Sequence, residues 1–467
     1  MRRTLATLAA IAILGCSPQH VDLEEFLTGL PGSAVAAVET EDPSVEVFDL
    51  RLAQPLDHHN PEAGSFRQRV LVEHRGHDRP VVLVTEGYSL RTNQTAELVE
   101  MLGANQIRVE HRYAGGSAPS ELNWKYLNAA QTSNDYHRLV GLLREIYPGP
   151  WVSTGWSKGG QTALIYRSRF PDDVVATVAY DAPLPLALED PRIDAHFLEV
   201  GTAECRRKLE KFQRIALERK ETLLPLFRRY AEGKGWGVSI GEERIFDTTV
   251  LEFPFAFWQY TDADCEAIPG PEMDDQAILD SLIEISEPEW LTDQGMDSPP
   301  MWQFCTELGF YGYDEEPFAD LLAEDDYPLC FYAPNWSPED YEPGVMQELD
   351  QWLRTAADKV MSIYGGLDPW SALHEALSDR SGLSFGQISQ GIGLVLIVFS
   401  AFALSVRPGI ATICNMLIIG PWVDLLRPLS WFPSTNSLVL GTVQFVCGVL
   451  VMGVGSAVYI GARLGAG

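Results

Sequence analysis

The stretch "PWVSTGWSKGGQTALIYRSRFP", residues 150–171, leaves this chain the least choice of fold. The short run "WVSTG" is followed at once by small residues around Ser157 and then by "GGQTALIYRSRF", which has helical periodicity. A brief strand-like run closed by Gly fits a strand buried on both faces, and such strands belong to parallel sheets sandwiched by helices. The segment therefore predicts strand, sharp turn and helix. "RPVVLVTEGYS", "NQIRVEHRYAGGS" and "DVVATVAYDAP" read as further strands, while "QTAELVEMLG" and "SNDYHRLVGLLREIYPG" read as helices. "SVEVFDLRL" and "FRQRVLVEH" predict an early antiparallel pair. Repetition of strand, loop and helix implies an α/β fold with a parallel sheet.

Residues 190–355 break that rhythm with acidic, aromatic-rich sequence and long helical stretches such as "RRKLEKFQRIALERKETLLPLFRRYAEG". We read them as a helical cap inserted over the active edge of the sheet, which "DKVMSIYGG" then resumes. Cys205, Cys265, Cys305 and Cys330 all fall here, which in an exported chain implies two disulfides with three possible connectivities. "HH" at His58 and His59 sits in a turn-like segment and reads as two solvated histidines. No Cys or His spacing suits a metal, and no cofactor is implied.

Charge divides the chain. Between Gly382 and Ile460 the formally charged residues are only Arg407, Asp424 and Arg427, whereas the whole chain carries a net charge of −31. Such acidity argues against nucleic acid as a partner. Three apolar segments, about 391–406, 409–426 and 437–460, are expected to enter a membrane, the last being comfortably long enough to span it. At the other end Arg2 and Arg3 precede the apolar run Leu5–Leu14, closing on "ILGC". This is the pattern of an export signal and resembles a lipoprotein signal with Cys16 acylated. The body is expected in the cell envelope, with residues 17–380 on the periplasmic or extracellular face.

"GWSKG", Gly155 to Gly159, matches G-x-S-x-G, in which small residues permit a turn that lifts the serine hydroxyl above the sheet. A serine nucleophile needs a base for its proton and donors for the developing oxyanion. One donor is expected from the N–H of Lys158, the other from Gly87 or Tyr88 in "TEGYS". Glu86, beside that loop, either binds a substrate's free amino group or hydrogen-bonds the loop.

Together "PLDHHNPEAGSFRQRVLV", "TEGY", "VEHRYAGGSAP", "LNAAQTSNDYHRLV", "GWSKGGQTALIYRSRFP" and "YGGLDPWSA" resemble the secreted proline-specific α/β-hydrolase serine peptidases. That group contains prolylcarboxypeptidase, dipeptidyl peptidase II and a bacterial tripeptidyl aminopeptidase. The likeness covers about residues 44–371. It implies a short peptide substrate and a Ser–Asp–His triad, with Ser157 as nucleophile and Asp368 in "GLDPWS" as acid. The family pattern puts the base one strand further on, but eight of the nine His precede Asp368, and His374 follows it with no strand between. His374 is thus a poor candidate base, and His111 and His137 are better explained by packing or loop bonding. From about residue 366, "GLDPWSALHEALSDRSGLSFGQISQGIG" and "RPGIATICNMLIIGPWVDLL" resemble multi-pass bacterial membrane proteins of the YczE/YitT type.

The expected organisation is a lipoprotein-type signal at 1–16, a linker at 17–43, a hydrolase core at 44–189 and the cap at 190–355. A resumed strand and acid loop occupy 356–372 and a partial membrane domain 373–467. The expected function is an exported aminopeptidase-type serine peptidase for short proline-containing peptides, impaired by want of its base. Two alternatives stand beside it: a membrane protein with a non-catalytic exported domain, or a reading frame joining two genes at the shared "DPW".

Overall fold

Val81–Thr85 and Trp151–Trp156 lie side by side in the middle of one sheet, and their neighbours decide which residues face which layer. Val81 and Leu83 point into one hydrophobic cluster and Val82 and Val84 into another, the period of two expected of a strand covered on both faces. The computed structural model describes residues 22–373 except 41, 91–93, 297–298 and 334–335.

Eight strands form the sheet: β1 (Ala34–Val38), β2 (Glu46–Pro55), β3 (Ser65–His74), β4 (Val81–Thr85), β5 (Asn105–Val109), β6 (Trp151–Trp156), β7 (Ala176–Tyr180) and β8 (Val360–Ile363). Their order is β1-β2-β3-β5-β4-β6-β7-β8. β1 to β3 and β5 pair antiparallel, whereas β5, β4, β6, β7 and β8 pair parallel, so the sheet is mixed rather than wholly parallel. The early hairpin causes this, because a short connection can only reverse the chain.

Helix α1 (Leu23–Thr28) and β1 occupy the stretch expected to be a linker. Asp22 caps α1, accepting from the Glu25 N–H at 3.0 Å, and Leu23 and Leu27 are buried in the core. α2 (Glu97–Leu102) ends on Gly103 in the left-handed conformation, φ 57°. α3 (Ala129–Leu143) and α4 (Lys158–Arg169) complete the packing against the sheet.

His58 departs from its solvated reading. Its ring lies 2.7 Å from the Asp135 carboxylate, which also receives the Arg112 guanidinium at 2.7 and 2.8 Å. The Arg112 and Asp135 side chains are fully buried, so this pair fastens the "LDHHN" turn and the β5 loop onto α3.

Between β7 and β8 the chain builds α5 (Pro191–Glu199), α6 (Ala203–Glu218), α7 (Lys220–Lys234), α8 (Glu242–Tyr260) and α9 (Asp275–Ser286). The short helices α10 (Asp293–Met296) and α11 (Pro299–Gln303), a π turn at Phe304–Leu308 and α12 (Gly344–Thr355) follow. Cys205 pairs with Cys265 and Cys305 with Cys330, which selects one of the three connectivities. Pro254 inside α8 cannot donate to the Val250 carbonyl; the Gln213 amide of α6 donates there instead, at 3.0 Å. No helix among the described residues is long and apolar enough to cross a membrane. Residues 1–21, with Cys16, and 374–467, with His374 and the three apolar segments, lie outside the described residues.

Candidate active site

Ser157 joins β6 to α4 with φ 50° and ψ −127°, a conformation that side-chain-bearing residues avoid. Its own backbone holds it there: its N–H donates to the Tyr180 carbonyl at 2.8 Å and its carbonyl accepts from Gln161 at 3.0 Å. The flanking glycines are required by contact. A Cβ on Gly155 would lie 2.4 Å from the Gly159 carbonyl, and one on Gly159 would lie 2.5 Å from the Thr85 carbonyl oxygen. Removing side chains at both positions lets the helix begin directly against the strand, which turns Ser157 out at the end of β6.

The loop after β4 closes over this turn. Gly87 runs so near α4 that an added Cβ would stand 2.6 Å from Lys158 Cβ. Among the described residues neither the Tyr88 N–H nor the Lys158 N–H donates to a protein acceptor. Burial pushes the Tyr88 phenol pKa up, and the Ser157 side chain beside it acts in the opposite sense. Tyr88 is nonetheless 41% exposed as a residue, so its hydroxyl end is the sheltered part. Glu86 accepts from the Arg108 Nε at 3.1 Å and also from its Nη2, so its charge is already met by a guanidinium.

The Lys158 side chain turns away from solvent into a buried polar chain. Nζ donates to Gln303 Oε1 at 2.7 Å, and the Gln303 amide donates to Glu307 Oε1 at 3.0 Å. Burial draws Lys158 down to about 7 and raises Glu307 to about 7. His111 lies 3.2 Å from Nζ through Nε2, while its Nδ1 donates to the Arg112 carbonyl at 2.9 Å, which places the ring proton on Nδ1. Burial and the neighbouring Lys158 charge keep His111 neutral. His137 stacks on Phe170 and bonds Asp173. Both histidines therefore have structural partners.

Asp368 follows β8. The N–H of Trp370 donates to Oδ1 at 2.8 Å, and the Gln259 amide approaches Oδ2 at 3.5 Å. Burial, chiefly, and the charge of Asp181 raise its pKa to about 6, against the Trp370 bond. No described histidine bonds this carboxylate; His196 instead reaches the neighbouring Leu367 carbonyl at 3.3 Å. Serine and acid therefore sit on loops at the same end of the sheet, after β6 and β8.

The sequence reading missed Glu252. It lies in the middle of α8 with 4% exposure and accepts from the Tyr311 hydroxyl at 2.9 Å and the Tyr313 hydroxyl at 2.7 Å. A cavity of about 430 Å³ in the cap is walled in part by Phe255, Tyr311 and Tyr313 and does not include Ser157. Phe255 and Tyr311 also pack on Trp370, so they form a layer between that cavity and the acid loop.

A prolyl tri/tetrapeptidyl aminopeptidase from Streptomyces mobaraensis is 32% identical over 377 residues, 78% of this chain and 78% of its own length. An uncharacterized membrane protein, YczE, of Bacillus subtilis (strain 168) is 33% identical over 102 residues, 22% of this chain and 46% of its own length. Among solved structures, proline iminopeptidase from Mycobacterium smegmatis matches 71% of this chain and 95% of its own, at 15% identity and a TM-score of 0.33. A family of unknown function, DUF6198, matches residues 361–467, and PS-10 peptidase S37 matches residues 16–393. The two ranges overlap across Asp368 and His374. The chain belongs to the PS-10 peptidase S37 family, with a YczE-like region following its peptidase part.

Proposed function

We propose that this chain is an exported serine peptidase scaffold for short proline-containing peptides whose turnover is impaired at the proton-transfer step. The strained turn at Ser157, held by Gly155 and Gly159, is the observation that carries the hydrolase reading. In this scheme Ser157 Oγ attacks the scissile carbonyl carbon, and the N–H groups of Lys158 and of Tyr88 or Gly87 receive the oxyanion. Asp368 is the acid that would orient an imidazole. The carboxylate's partners among the described residues, a backbone N–H and a distant glutamine amide, support the impairment. A triad without its base keeps only what binding and the oxyanion hole supply.

A fluorophosphonate probe tests the proposal. Slow labelling, abolished by Ser157→Ala, is expected; rapid labelling abolished by the same substitution would mean that a working base exists. Membrane attachment through residues 391–460 is a separate element of the reading. Release of the chain by carbonate washing, with acylation at Cys16 blocked, would refute it. The overlap of the two family ranges at residues 361–393 favours one second reading, a frame that joins two genes there. Resequencing genomic DNA across codons 360–380 decides it.

A further inference from the structure

Lys158 is a costly residue for its position. It is the first residue of α4, where the helix dipole disfavours a positive charge, and its side chain is fully buried. An apolar side chain would spare the fold both penalties, so the ammonium group calls for a use other than stability.

Its surroundings hold that group in one place. Nζ donates to Gln303 Oε1 at 2.7 Å and to His111 Nε2 at 3.2 Å, and the Gln303 amide passes the contact on to Glu307 at 3.0 Å. Glu307 also accepts from the Ala129 N–H at 2.7 Å, at the start of α3, so its carboxylate is fixed from two sides. The charged and titratable groups around the ammonium are His111 and Arg112 from the loop after β5, Glu307 from the π turn and Arg169 from the end of α4. α3 contributes the neutral Thr132 and Ser133. Glu307 is the anion of this set. Burial draws Lys158 down to about 7, and the Glu307 charge opposes that fall.

The backbone of the same residue faces the reaction, since the Lys158 N–H is the donor assigned above to the oxyanion. Attack by Ser157 Oγ places a negative charge on that oxygen, and the ammonium lies one side chain away from the donor. At about 10 Å and an effective dielectric of about 20, one unit charge changes a rate by roughly tenfold. We propose that the Lys158 ammonium stabilises the oxyanion formed at Ser157 through its field, and that Glu307, acting through Gln303, is a positioning residue that retains this charge. The inference rests on the peptidase reading above.

The test compares fluorophosphonate labelling rates of the full-length chain and its Lys158→Met variant from pH 6 to pH 9. Titrations common to both chains cancel in the ratio of the two rates. That ratio is expected to be about tenfold at pH 6 and close to one at pH 9, because the charge is lost as pH rises through about 7. Glu307→Gln removes the counter-charge and makes the ammonium easier to deprotonate. Its rate, divided by that of the double variant Lys158→Met with Glu307→Gln, should therefore reach one at a lower pH. The double variant carries neither charge, which guards against a folding defect caused by a stranded Glu307. A ratio of any size that stays constant with pH would mean that Lys158 only packs, and overturns the proposal. A Glu307→Gln profile that superimposes on the parent's overturns the part given to Glu307. Absence of labelling in the parent at every pH overturns the peptidase reading and this inference together.

Discussion

Replacing Asp368 by Asn removes a charge while keeping the side chain's shape and its acceptor for the Trp370 N–H. The carboxyl releases its proton near 6 in the folded protein, against 3.8 when it is free of the fold. The folded state therefore holds the proton more tightly than the unfolded one, and stability falls as pH rises from about 4 to about 6. At 1.36 kcal/mol for each pH unit of difference, the ionised form costs the fold about 3 kcal/mol above pH 7 and about 0.5 kcal/mol at pH 4. Asp368→Asn escapes this cost. Urea unfolding of the detergent-solubilised full chain, followed by tryptophan fluorescence, should therefore show an advantage for Asn that is about 2 to 3 kcal/mol larger at pH 7.5 than at pH 4. In a working triad the acid is stabilised by an imidazolium, and the same substitution would then confer no such advantage. An Asn variant whose advantage does not grow with pH would refute the reasoning, because the carboxylate would have to possess a cationic partner.

Other substitutions test the packing around the site. Gly155→Ala forces a methyl onto the Gly159 carbonyl at 2.4 Å and should destabilise by about 3 kcal/mol, whereas Gly141→Ala, at an exposed position of α3, meets nothing within 4 Å and should stabilise by about 0.5 kcal/mol. Equal urea midpoints for the two would discredit the contact argument. Arg112→Met leaves Asp135 fully buried with His58 as its remaining ion-pair partner and should cost about 3 kcal/mol, read from the same unfolding curves. Cys330→Ser opens a loop of 25 residues and should cost about 3 kcal/mol; a melting temperature equal to that of the parent protein under oxidising conditions would contradict it.

The turn at Ser157 was legible because its determinants are contiguous: two glycines, a strand before and a helix after. The strands were legible for the same reason, each carrying its own pattern. What escaped depends on residues far apart in the chain. His58 in a polar turn gives no sign of Asp135, 77 positions away, and Glu252 in an acidic chain looks like any solvated helix carboxylate until α8 meets Tyr311 and Tyr313. α1 and β1 were passed over because each is too short to display a period. The cysteines announced two bonds, but only the fold of α6 against the loop after α8 chooses between pairings.

The Lys158–Gln303–Glu307 chain also fastens the turn at Ser157 to the helical insertion. Lys158 belongs to the turn that presents Ser157, Gln303 to α11 and Glu307 to the π turn after it. Separating these elements at that point would strand a lysine and a glutamate that are now buried and linked through Gln303. The joint therefore ties the turn that carries Ser157 to α11 and the π turn, and Tyr88 and Tyr260, which are 41% and 70% exposed, take no part in it.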